Sequence, residues 1–269
     1  MAGKLYIVGT PIGNLQDITF RAVEVLKNID FIACEDTRVS MKLLNAYGIK
    51  KPLVSYYKHK EREAAEKITA LIAEGKNAAL ITDAGMPSIS DPGAILVSEC
   101  RARGIKTEAV PGPSASVTAV ALAGISARGF TFLGFLPEKI KDKKEYIKDF
   151  IYSPLPLVFY SSTHDINADG RFLADALGDR KVFIVKEITK LHEGVDEQTL
   201  EDFNVENPRG EYVLIVMPSE VGSALNSLPI AEHVKHYMRS GLEKKEAVKR
   251  TAADRGVDKN TVYTAALDL

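Results

Sequence analysis

Three loops rich in glycine and proline are the first features of this chain whose residue types could hold a small molecule. The first is Gly9-Thr10-Pro11-Ile12-Gly13-Asn14, directly after the apolar run at 5–8. Its glycine spacing departs from the G-x-G-x-x-G of dinucleotide sites, and alone it reads equally as a strand-to-helix turn. The second, from Thr82 to Gly93, packs Asp83, Gly85, Pro87, Ser88, Ile89 and Asp91 into one run of small and turn-forming residues. Gly85 and its small neighbours let backbone amides and carbonyls approach a ligand, while Asp83 and Asp91 are placed to bind hydroxyls or to cap a helix. Of the two, Asp91 with Pro92 behind it reads as an N-cap followed by proline at the first helical position. The third, Pro111-Gly112-Pro113-Ser114-Ala115, is stiffened by two prolines and sets Ser114 at a helix start. Loops of this kind form a cleft wall with little side-chain bulk, which suits a flat nucleoside held mainly through the backbone.

Positioning such loops requires an open α/β sheet, where ligands bind outside the carboxyl ends of the strands. The pattern supplies one. Short β-branched runs at 5–8, 31–34, 78–82 and 107–110, with a weaker one at 53–56, alternate with helical stretches such as 64–74. A small-residue helix at 115–123 then reads as a bridge to a second lobe. That lobe has strands at 131–136, 157–161, 182–188 and 212–217 and helices near 139–150 and 165–177. Helical periodicity resumes from about 231 to 269. The expected fold class is therefore α/β, with two α/β lobes (1–113 and 114–228), a cleft between them and a small C-terminal helical subdomain (229–269).

Composition narrows the function classes. A hydrophobic share of 45% with 26% charged residues is that of a globular protein rather than a disordered one. No apolar run approaches the roughly 18 residues of a membrane span, and a cytoplasmic location is expected. Cys34 and Cys100 lack companion ligand spacing, so both are expected buried and reduced, with no disulfide framework and no metal. A net charge of −1 argues against sequence-independent phosphate binding, so a nucleic-acid partner would need a local basic patch.

In order along the chain, residues 8–15, Glu35-Asp36-Thr37-Arg38, 83–93 and 111–115 resemble the bacterial 16S rRNA cytidine 2′-O-methyltransferases, a family within the tetrapyrrole-methylase superfamily. The resemblance continues through Phe159-Tyr160, residues 186–193 and residues 256–263, covering nearly the whole chain. It implies a homodimer that binds S-adenosyl-L-methionine between two lobes and methylates a ribose hydroxyl of 16S rRNA near the decoding site of the small ribosomal subunit. Carried over by motif, Gly9, Thr10 and Pro11 would line the cleft, and Asp83, Gly85, Pro87, Ser88 and Ile89 would hold the methionine and ribose portions. Ser114 and Ala115 would touch the cofactor from the bridge, and Tyr160, Lys186, Glu187, Met217 and Pro218 would close around the adenine. Two stretches depart from the family pattern: Ser161-Ser162-Thr163-His164-Asp165 keeps a histidine but lacks the expected arginine, and Tyr56-Tyr57-Lys58-His59-Lys60 replaces a His-Glu-His-Asn-like run. Both bear on how substrate is held.

Methyl transfer from a sulfonium is an in-line displacement needing alignment and a proton acceptor for the poorly nucleophilic hydroxyl. Asp36, Glu187 and Glu193 are the carboxylates considered, with Glu187 preferred; each reads alternatively as an ion-pair partner of Arg38, Lys186 or Lys190. Arg38, Lys42, Lys58 and Lys60 could form the phosphate-binding patch or an ordinary solvated surface. One of Tyr56 and Tyr57 is expected in the core, leaving the other free to stack on a base. Helical stretches at 247–255 and 259–266 resemble a helix-turn-helix with Gly256 at the turn, serving either RNA contact or packing. Two rivals stand beside this reading: a methylase acting on a porphyrin-like ring carbon, and a nucleic-acid-binding module built on the terminal helices.

Overall fold

The computed structural model describes residues 2–269 except 58–60, 127, 152, 219–224, 227, 256 and 268. Its first sheet is wholly parallel, in the order β3-β2-β4-β1-β5: β1 Lys4–Val8, β2 Phe31–Cys34, β3 Leu53–Ser55, β4 Ala78–Ile81 and β5 Lys106–Val110. The central strands β2 and β4 are buried at every residue, as strands covered on both faces must be. Alternation along the strands separates two cores. Leu5, Ala33 and Leu80 face α3 (Glu61–Ala73) and α4 (Ala94–Ala102). Val8, Ile32 and Ile81 face α1 (Phe20–Asn28) and α2 (Thr37–Ala46). Cys34 and Cys100 are buried free thiols, and of the tyrosine pair Tyr56 is core while Tyr57 is exposed.

The chain crosses through α5 (Ala115–Leu122) into a mixed sheet ordered β6-β7-β10-β8-β9. These strands are β6 Thr131–Phe135, β7 Leu157–Ser162, β8 Lys181–Lys186, β9 Gly194–Thr199 and β10 Glu211–Val216. α6 (Ile140–Ile147) and α7 (Ile166–Leu177) contribute to the core on one face, and α5 packs its Ala119 against Val158, Val185 and Val213 on the other. β9 is absent from the sequence reading because Gly-Val-Asp-Glu-Gln-Thr has no apolar alternation. It is an edge strand whose Glu197 and Asp196 pair with Lys181 and Lys186 of β8, the usual charged treatment of a sheet edge. The last helices, α8 Ile230–Arg239, α9 Lys244–Arg255 and α10 Lys259–Ala265, enclose their own small core of Val234, Ala247, Val248 and Val262. No helix among the described residues is long and apolar enough to cross a membrane.

One local expectation is corrected. Asp91 does not cap α4; the helix begins at Ala94 with Gly93 at the N-cap. Gly93 has φ 146°, and a Cβ there would lie 2.2 Å from the Ser88 hydroxyl oxygen, so the turn closes on glycine and leaves the Asp91 carboxyl elsewhere.

Candidate active site in the cleft between the two sheets

The three loops fasten to one another at the carboxyl ends of β1, β4 and β5. Thr10 and Gly85 exchange backbone hydrogen bonds of 2.9 and 3.2 Å, and the Thr10 hydroxyl donates to the Thr82 carbonyl at 3.0 Å. Gly9 meets Gly112 so closely that a Cβ on either would lie under 3 Å from the other's backbone. In front of them opens a cavity of ≈ 480 Å³. Its first wall carries Glu35, Asp83, Gly85, Met86, Ile89 and Asp91, with Ile12 alone from the first loop; Ser114 and Ala115 line it from the bridge. The second wall is Phe135, Tyr160, residues 161–164 at and just past the end of β7, Ile188 and residues 210–213. Tyr160 is held edge-on between Phe132 and Phe135, with ring centroids 4.8 and 5.4 Å away. Burial raises its hydroxyl pKa, partly offset by hydrogen bonds at Ser116.

Of the residues expected around a cofactor, Asp83, Gly85, Ile89, Ser114, Ala115 and Tyr160 line this cavity. Gly9, Thr10, Pro11 and Pro87 are buried outside the lining, where the first loop braces the second. Ser88 is also behind the wall, in left-handed backbone (φ 70°). Lys186 ends β8 on an ion pair with Asp196. Met217 and Pro218 are not at the cavity. β10 runs antiparallel to β7, pairing Glu211 with Ser162 and Val216 with Leu157, so its carboxyl end lies about 20 Å from the residues at 210–211 that line the cleft.

The sequence's three proton-acceptor candidates are all committed elsewhere. Asp36 caps α2 and pairs with Arg38, and that guanidinium first of all lowers its pKa to about 2. Glu193 accepts from the Thr189 amide at 2.5 Å. Glu187, the preferred one, stands just past β8 with φ 48°. Its Oε1 accepts from Lys190 Nζ at 2.9 Å and from the Glu211 amide at 3.1 Å. Burial works to raise its pKa, but Lys190 and the Glu211 backbone outweigh it and hold the carboxyl below its ordinary range. A Cβ at Gly210 would lie 1.9 Å from that oxygen, which explains the glycine. Glu187 thus braces the edge of the cleft rather than facing into it. The same segment crosses to the first sheet's side, where the Thr189 hydroxyl donates to Asp17 at 2.5 Å.

What the sequence reading passed over is the acidity of the first wall. Among the described residues no lysine, arginine or histidine forms an ion pair with Glu35, Asp83 or Asp91. Burial raises all three, and Glu35 is raised further by the charges of Asp91 and Asp83. The position of Glu35 immediately after β2 was the available signal. A carboxyl raised in the folded state keeps a proton that the unfolded chain releases, so stability falls as pH climbs from about 4 through the raised value. Asp83→Asn is therefore expected to melt above the wild type at pH 7, with the gain vanishing by about pH 4. A gain independent of pH, read by calorimetric melting, would contradict this origin.

Residues 4–204 match the family model of the tetrapyrrole (corrin/porphyrin) methylases. The chain belongs to that family. Among the relatives of this methylase, the ribosomal RNA small subunit methyltransferase I of Bacillus subtilis is 40% identical over 98% of this chain and 94% of its own. The protein of the same name from Thermotoga maritima is 43% identical over 81% of this chain and all of its own. Solved structures agree on the methylase fold. Diphthine synthase superposes with a TM-score of 0.63 at 17% identity, over 80% of this chain and 90% of that one. Uroporphyrin-III-C-methyltransferase from Thermus thermophilus gives 0.56 at 21%, over 80% and 94%.

Proposed function

We propose that this chain transfers a methyl group from S-adenosyl-L-methionine to the ribose 2′-hydroxyl of a cytidine in 16S rRNA, in the decoding region of the small subunit. On this reading it works in the cytoplasm as a homodimer, with units at 1–113, 114–228 and 229–269. The observation that carries the reading is the charge of the cavity: three carboxylates without a cationic partner among the described residues face an aromatic and aliphatic wall. A nucleoside bearing a sulfonium and an ammonium fits that pair of walls, its ring against Tyr160 and Ile188 and its cationic end toward Asp83 and Asp91. Asp83, Gly85, Ile89, Ser114, Ala115 and Tyr160 would make the contacts; Gly9, Thr10, Pro11, Pro87 and Ser88 would hold the loops in shape. When bound, the cofactor supplies an activated methyl group, and the protein's part is to align the acceptor behind it.

The relatives named for ribosomal RNA direct the choice of acceptor. The acidic wall supports it, since it would repel the peripheral carboxylates of a tetrapyrrole, whereas a ribose entering the cavity is neutral. The phosphates would remain outside, near Arg38 and Lys42, which are exposed along α2; Lys58 and Lys60 lie outside the described residues. Incubation with methyl-labelled cofactor and small ribosomal subunits is expected to place label on one ribose of 16S rRNA. The double variant Arg38→Ala/Lys42→Ala should raise KM and flatten its salt dependence by about two counterions. Label on a base, or only on a precorrin offered in parallel, would overturn the assignment.

A further inference from the structure

We propose that Glu35 is the group that accepts the proton of the acceptor hydroxyl. The inference rests on the ribose-methylation reading above and assigns within it a step that Asp36, Glu187 and Glu193 are not placed to perform.

Three features single out Glu35. It lines the cavity, half-buried, at the carboxyl end of β2. In the order β3-β2-β4-β1-β5, β2 lies two strands from β1, about 10 Å from the loop pair at Gly9 and Gly112 that anchors the bridge. Glu35 therefore marks the β2 end of the first wall, away from the bridge residue Ala115. A cofactor seated by the bridge and the 83–91 loop leaves the Glu35 end for the acceptor. Glu35 is also the residue before Asp36, the N-cap of α2, so the helix that carries exposed Arg38 and Lys42 begins two residues beyond it. A ribose brought to Glu35 would have its flanking phosphates beside those two cations.

The other cavity carboxylates are less free. Asp83 accepts a hydrogen bond from the Asp36 backbone. Asp91 sits toward the second wall, close enough for its charge to act on Tyr160. The charged groups that face Glu35 among the described residues are Asp91, Asp83 and Asp36, all acidic. Burial and these charges raise its pKa, which brings its basicity nearer to that needed at neutral pH.

The ribose oxygen forms a bond to the methyl carbon while the carbon–sulfur bond breaks and its electron pair stays on sulfur, which becomes a neutral thioether. As the oxygen gains positive character, its proton passes to a Glu35 carboxylate oxygen and later to water.

Single-turnover methylation of small subunits by Glu35→Gln, with cofactor affinity measured by calorimetry, tests this. The variant is expected to keep cofactor affinity within about threefold and lose about 10²–10³ in rate, with the acidic limb of the pH–rate profile abolished. Glu35→Asp, which retains a carboxylate, should keep that limb at an intermediate rate; it also carries the test if the glutamine variant fails to fold. Ribose methylation by Glu35→Gln at the wild-type rate, or loss of rate only in His164→Asn on the opposite wall, would overturn the role while leaving the function standing. If the wild type places no methyl on ribose, the functional reading itself fails.

Discussion

Gly112→Ala should cost this protein most of its cofactor affinity. A methyl group at that position would lie 2.8–2.9 Å from the Cα, carbonyl carbon and carbonyl oxygen of Gly9, all backbone atoms that cannot rotate away. The first and third loops must then separate by several tenths of an ångström. The first is tied to the second through the Thr10–Gly85 bridge, and the third carries Ser114 and Ala115, so the movement spreads directly into the cavity wall. Misplacement of that order is sufficient for a loss of tenfold to a hundredfold in binding, with overpacking adding about 1–3 kcal/mol of instability. Titration calorimetry with S-adenosyl-L-methionine and urea unfolding measure the two effects. Gly129→Ala, where a Cβ meets nothing within 4 Å, is the control. Equal behaviour of the two variants would mean that the loop contact does not shape the site.

The second large effect concerns stability. Lys143 of α6 and Asp169 of α7 form an ion pair of 2.6 Å, with side chains only 10% and 6% exposed, and the Ser161 hydroxyl donates to the other Asp169 oxygen at 2.7 Å. Lys143→Met would leave a carboxylate buried without its cation, at a cost of about 3–5 kcal/mol. The double variant Lys143→Met/Asp169→Asn should recover much of that loss, because the amide oxygen still accepts from Ser161 and no charge remains unpaired. Since Ser161 belongs to the cavity wall, the single variant should also weaken cofactor binding. Denaturant midpoints that are the same for wild type and Lys143→Met would show that the pair contributes nothing.

How much of this was legible beforehand follows from the kind of signal each part leaves. The central strands β2 and β4 announce themselves as Phe-Ile-Ala-Cys and Ala-Ala-Leu-Ile, because strands covered on both faces must be continuously apolar. The loops could be located because glycine and proline mark turns, and strand ends are where open α/β sheets bind ligands. β9 could not be found, because an edge strand needs no apolar face. Asp91-Pro92 has the composition of a helix start, but the tertiary packing of Gly93 against Ser88 decides where α4 begins.

For the site, local sequence identified residue types and tertiary structure decided their roles. A linear reading offers Arg38, Lys186 and Lys190 as ion-pair partners of the candidate carboxylates but does not decide which pairs form: Lys190 holds Glu187 and Arg38 holds Asp36, while among the described residues no cation pairs with Glu35. Strand direction is equally invisible, and the antiparallel course of β10 is what carries Met217 and Pro218 away from the cleft. The sequence by itself determined the two sheets, the three loops and the family, since these follow from periodicity, turn chemistry and ordered motifs. Only the tertiary structure decided which loop lines the cavity, which carboxylates have no cationic partner among the described residues and which end of each strand meets the cavity, because those depend on contacts between residues far apart in the chain.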